Sequence, residues 1–167
     1  MQCAGLFVSG KSESSKLGTQ LLCIAEHDAV LATGHLSAVE SLRLLEAAAG
    51  LGVERMVVTH ASEPVPKMSV EDQQRAVACG ALIEHSLMAI TDACPGSVTP
   101  GDVVRQIRDI GAEHVVLSSD LGQPANGSIV VGFNRLLGEL RSHGCTCKEI
   151  RVMITQNPEK LLVEGGR

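Results

Sequence analysis

Four short apolar runs, at 29–32, 55–58, 81–83 and 114–117, set the tightest limits on the fold of this chain, because each is followed by a longer segment with helical periodicity. An uninterrupted apolar run reads as a strand covered on both sides. Regular alternation of such runs with helices implies a parallel sheet joined by right-handed crossovers. Helices are expected at 15–27, 37–49, 69–79, 100–110, 129–143 and 147–156. Their starts carry the expected chemistry. Ser37 with Glu40 and Thr146 with Glu149 have capping-box spacing, Ser69 precedes Glu71 and Asp72, and Thr99 is followed by Pro100 at a first helical position. Gly50, Gly80, Gly111 and Gly144 stand where four helices should stop. The 10–15 stretch reads as a loop before the first helix, and the 4–8 run as a further strand or a disordered start.

With 167 residues the chain has material for one domain around one core, and no second domain is visible in it. Its 44% apolar and 20% charged residues are those of a folding chain, not a disordered one. Fourteen Lys and Arg against nineteen Asp and Glu leave a net charge of -5, which removes the attraction to phosphates that drives nucleic-acid binding. Phe7 and Phe133 are the only aromatics besides histidine, so stacking platforms for single strands are missing too. Nucleic acid is therefore not an expected partner. The apolar stretch 44–53 is broken by Glu46 and Gly50 and falls short of the ~20 residues of a membrane span. Cys3, Cys23, Cys79, Cys94, Cys145 and Cys147 follow no disulfide-framework spacing, and no signal peptide is evident, so reduced thiols and a cytoplasmic location are expected. The Cys145-Thr146-Cys147 triplet is explained by the helix start at Thr146 rather than by a second metal site.

Each apolar run gives way to polar residues: Thr33-Gly34-His35, Thr59-His60, Glu84-His85 and Ser118-Ser119-Asp120. His35, His60, His85 and Asp120 stand 25, 25 and 35 residues apart, each interval long enough for a helix and a return loop. These groups should therefore meet at one edge of neighbouring strands, where parallel α/β folds build their sites. Two imidazoles and a carboxylate suit a divalent transition metal and leave positions for water and substrate. His35, His60 and Asp120 are the expected ligands, for zinc in the first place, with manganese or iron also suited. Glu84 and His85 are neighbours whose side chains point to opposite faces of a strand, so only one can face the site, and His85 is the choice by its position after the run, with a place in the core or behind the ligands as the equal alternative to direct contact. Glu63, Gln123 and Asn126 lie in the adjoining loops, within reach of a substrate. The 122–127 segment carries glycines but matches no phosphate-loop pattern.

Several pieces, Ala32-Thr-Gly-His-Leu-Ser37, Val57-Val-Thr-His60, Leu117-Ser-Ser-Asp-Leu-Gly-Gln123 and Asn157-Pro-Glu-Lys-Leu-Leu162, resemble an amidohydrolase-type metal-dependent hydrolase, in particular its uncharacterised bacterial and archaeal members. The resemblance runs from about Leu21 to Leu162. It implies a (β/α)8 barrel whose fifth and sixth strands supply metal-binding histidines, here His35 and His60, and whose eighth supplies an aspartate, here Asp120. It also implies a metal-activated water attacking an amide, ester or related bond of a small-molecule substrate, with Asp120 moving the proton from that water to the leaving group. A full barrel takes about 250 residues, so the expectation is its C-terminal half, with four to five parallel strands and their covering helices. The first-strand His-x-His pair and the fourth-strand lysine or carboxylate of the family are missing, and neither Lys11 nor Lys16 sits at a strand end. A half barrel also leaves two sheet edges open, so the chain is expected to pair with another copy or another chain, or to be a truncated piece that is incomplete in isolation. Two rival readings stand beside this one: a non-catalytic half-barrel interaction module, and a non-haem iron enzyme with two histidines and one carboxylate.

Overall fold

A computed structural model describes residues 11–162 apart from 93, 95 and 97. The elements in chain order are α1 (Lys11–Glu26), β1 (Leu31–Ala32), α2 (Ala38–Gly50), β2 (Met56–Val58), α3 (Val70–Ala78), β3 (Ala81–Ser86), α4 (Pro100–Ile110), β4 (Val115–Ser118), α5 (Ile129–Ser142), α6 (Cys147–Arg151), a π-helical turn (Val152–Gln156) and α7 (Asn157–Leu161). All four strands are parallel and lie in the order β1-β2-β3-β4. Consecutive order has a direct consequence. Crossovers of one hand that always step to the next strand carry their helices to the same face of the sheet. The packing agrees, since α2 lies on α3, α3 on α4 and α4 on α5.

Strand register sorts the side chains cleanly. Leu31, Met56, Ala81, Ile83, Val115 and Leu117 face the helices and join Leu42, Leu45, Ile107, Leu136 and Met153 in the core. Ala32, Val57, Leu82 and Glu84 alternate with them and face the other way. Among the described residues β1 pairs only with β2 and β4 only with β3, so both edges are open.

The helix starts fall as expected, with reciprocal capping boxes at Ser37–Glu40, Ser69–Asp72, Thr99–Asp102 and Thr146–Glu149. Each cap satisfies orphan backbone donors and stabilises its helix by about 1 kcal/mol. Three boundaries differ from the expectation. Residues 11–15, read as a loop, belong to α1, where Lys, Ser and Glu are adequate helix formers. Gly50 is the last residue of α2, and the left-handed turn falls on Gly52, at φ 83°. The last helix does not end at Gln156 but continues through the π-helical turn into α7. There Asn157, fully buried, donates to the carbonyls of Ala112 (2.8 Å) and Val115 (2.6 Å) and so ties the C-terminal helix to the start of β4. The 4–8 run lies outside the described residues. No helix among the described residues is long and apolar enough to cross a membrane.

Candidate metal centre at the strand ends

The chain leaves three of the four strands through the left-handed region of backbone space. Gly34 after β1 has φ 62°, His60 after β2 has φ 59° and Asp120 after β4 has φ 52°. Glycine adopts this conformation freely, but for His and Asp it is uncommon and costs about 1 kcal/mol or more. Here the surroundings hold it in place. The His60 amide donates to Glu84 Oε2 (3.0 Å) and the Ala61 amide to the Glu84 carbonyl (3.1 Å). Thr59 is bound to the β1 end through Thr33 Oγ1 (3.2 Å) and the Gly34 carbonyl (2.9 Å). The loop after β2 then turns back, with the Glu63 amide on the His60 carbonyl and the Met68 amide on the Ala61 carbonyl, both at 2.9 Å.

That geometry gathers the acids around His60. One donor atom each from His60, Glu63 and Asp120 lie within 4.8 Å of one another. His60 Nδ1 stands 3.2 Å from Glu63 Oε1 and 3.7 Å from Glu84 Oε2. The approach is a charge contact rather than an aligned hydrogen bond, for Nδ1 is buried and among the described residues has no hydrogen-bond partner of good geometry. Interaction with Glu63 raises the His60 pKa, against a lowering by burial, and the charges of Glu63, Glu84 and Asp120 add to the rise. For Glu63, burial pushes the carboxyl up, but the contacts with His60 and Ser86 and the charges of His60 and His35 outweigh it and hold the group below the usual carboxylate range. Ser86 Oγ donates to Glu63 Oε1 at 2.6 Å, which fixes the carboxylate over the strand end. Burial pushes the Cys94 thiol up, and the charges of Glu63 and Asp120 push it further in the same direction.

Of the expected ligands, His60 and Asp120 come together in the donor cluster, whereas His35 supplies no atom to it and stacks on His60 instead, with ring centroids 4.8 Å apart and planes 25° apart. The three positions thus meet at one rim, with His35 as the exposed outer ring. Glu63, expected only as a loop residue near substrate, is 9% exposed and takes part in the donor cluster itself. Its spacing of three residues from His60 was the available signal.

His85 takes the core alternative and not the site-facing one, which is corrected in favour of Glu84. Because β3 continues to Ser86, Glu84 and Ser86 share the face that carries the cluster, and His85 faces the helices. There its Nδ1 lies 2.8 Å from Ser62 Oγ, which also donates to Gln106 Oε1 at 3.1 Å. Ser86 was not read from the sequence, although it stands two residues beyond Glu84 on the same face. Gln123 is exposed and Asn126 half-buried in a short turn, and among the described residues neither makes a hydrogen bond to the cluster.

Residues 10–84 match a family of unknown function, DUF6282. The matched stretch holds His35, His60, Glu63 and Glu84 and stops before Asp120. No curated protein and no solved structure matches the chain.

Proposed function

We propose that His60, Glu63 and Asp120 hold a divalent cation, zinc in the first place, and that the chain is a metal-dependent hydrolase of the amidohydrolase type. The observation that carries this reading is the convergence of one donor atom from each of His60, Glu63 and Asp120 within 4.8 Å, beside a buried His60 Nδ1 that has no well-aligned hydrogen-bond partner among the described residues. A mixed nitrogen and oxygen donor set of this kind suits zinc, manganese or iron. When bound, the cation would lower the pKa of a water and polarise a scissile carbonyl. The chain's own residues do the rest. Asp120 is the exposed carboxylate of the three, so it accepts the proton of the attacking water and returns it to the leaving group of an amide, ester or related bond. Glu63 is held in place by Ser86, and the His60 backbone by Glu84. His35, stacked on the outer side of His60, presents its free face to the substrate.

The order β1-β2-β3-β4, with consecutive helices packed on one another, supports reading the sheet as half of a (β/α)8 barrel. In that arrangement the face of Ala32, Val57 and Leu82 is the barrel interior, and the open edge of β4 is where a second copy or another chain joins it. Metal analysis of the purified protein tests the reading. One ion per chain is expected, lost on His60→Ala and on Glu63→Gln; equal metal content in all three proteins would overturn it.

A further inference from the structure

The geometry points to a substrate subsite: we propose that the apolar cleft between α1 and the open edge of β1 takes the hydrocarbon part of the substrate, an acyl or aryl group whose hydrolysable end reaches His35. The cleft encloses about 650 Å³, within the range of small-molecule sites. Leu17, Leu21 and Ile24 of α1 line it together with Leu31 of β1, Leu44 of α2 and His35. No Asp, Glu, Lys or Arg lines it among the described residues, so an apolar group is favoured there and an ionic one is not.

His35 is what makes the cleft part of the site. The same imidazole that borders the cleft stacks at 4.8 Å on the ring of His60, a member of the donor cluster. A molecule with its apolar group against Leu21 and Ile24 therefore carries its polar end past His35 towards the cluster. The polar end rests on the metal-hydrolase reading, while the apolar end rests on the cleft alone.

Hydroxamates of two lengths separate these parts. Zinc-loaded full-length protein is titrated calorimetrically with acetohydroxamate and with octanohydroxamate, which has six more methylenes. Each buried methylene tightens binding about fourfold, so burial of three of the six is expected to favour the longer probe by about sixtyfold. Ile24→Asp is expected to remove that preference while keeping the acetohydroxamate affinity, which also reports that the variant is folded. In a second measurement, octanoate added to metal-free protein is expected to slow modification of Cys23, an exposed thiol in the cleft wall, as read by peptide mapping. Equal affinity for both hydroxamates, or Cys23 reacting equally fast with and without octanoate, would overturn the subsite. Affinities of both hydroxamates that are unchanged on removal of zinc, with the longer still favoured, would uphold the subsite and overturn the metal reading. Protection of Cys23 that rises with protein concentration and needs no ligand would show a second copy in the cleft and overturn the proposal.

Discussion

His85 gives a prediction whose size can be worked out from its surroundings. It is 1% exposed, and among the described residues its only hydrogen-bond partner is Ser62 Oγ at 2.8 Å. Ser62 has one proton and donates it to Gln106 Oε1, which also accepts from Gln73 Nε2 at 2.6 Å. His85 Nδ1 must therefore carry the imidazole proton, which leaves Nε2 as a buried nitrogen without a partner. Protonating Nε2 would place a charge in the core, and burial pushes the His85 pKa down to about 4 from 6.5. The unfolded chain binds the proton between these two values and the folded chain does not. Stability from this group is thus complete above pH 6.5 and is lost as pH falls towards 4, amounting to about 3 kcal/mol in all and about 2.5 kcal/mol by pH 4.5. His85→Asn keeps an N–H donor for Ser62 and removes the titrating nitrogen. Urea unfolding of both proteins from pH 7.5 to 4.5 is expected to show the native protein more stable at the upper end and the gap narrowing by about 2.5 kcal/mol at the lower. Glu63 and Glu149, whose carboxyls lie below the ordinary range, contribute to both curves alike and cancel in the difference. Parallel curves, or an imidazole resonance of His85 titrating near 6.5, would show that the ring is not held neutral by burial.

Other outcomes rest on single contacts. Ser86→Ala removes the 2.6 Å donor that orients Glu63, and zinc affinity measured by competition with a chromogenic chelator is expected to fall about tenfold or more. Zinc at a hundred times its dissociation constant should raise the stability of the native protein by about 2.7 kcal/mol, reversed by chelator and absent in His60→Ala, as followed by thermal unfolding. Gly111, with φ 90° and ψ 132°, closes α4, and a Cβ there would meet the Glu113 carboxylate at 2.8 Å. Gly111→Ala is therefore expected to lower the urea midpoint by the equivalent of about 1–3 kcal/mol with an unchanged denaturant slope. Asn157→Ala strands the carbonyls of Ala112 and Val115 in the interior and should cost about 3 kcal/mol by the same assay.

The alternation of strands with helices, the helix starts and the nearness of His60 and Asp120 were legible because they depend on repeated signals: apolar runs, capping boxes and intervals long enough for a helix and a return loop. What escaped depends on parity and on loop path. Ending the third apolar run at Ile83 left the Glu84/His85 choice open, and one more turn of the pleat, to Ser86, reverses the choice that position alone suggests. Glu63 enters the cluster because the chain turns sharply at His60 and is pinned by Ala61 on Glu84, contacts that no local pattern announces. Helix termini beyond the caps were similarly hidden, since α7 is fixed by Asn157 reaching carbonyls more than forty residues away.

Anomalous scattering at the zinc edge, from crystals grown with zinc, decides whether the cluster at the strand ends is a metal site. One dominant peak is expected within bonding distance of His60 Nδ1 and of a carboxylate oxygen from each of Glu63 and Asp120. At saturating zinc, an empty cluster with those three side chains still in place would rule the site out.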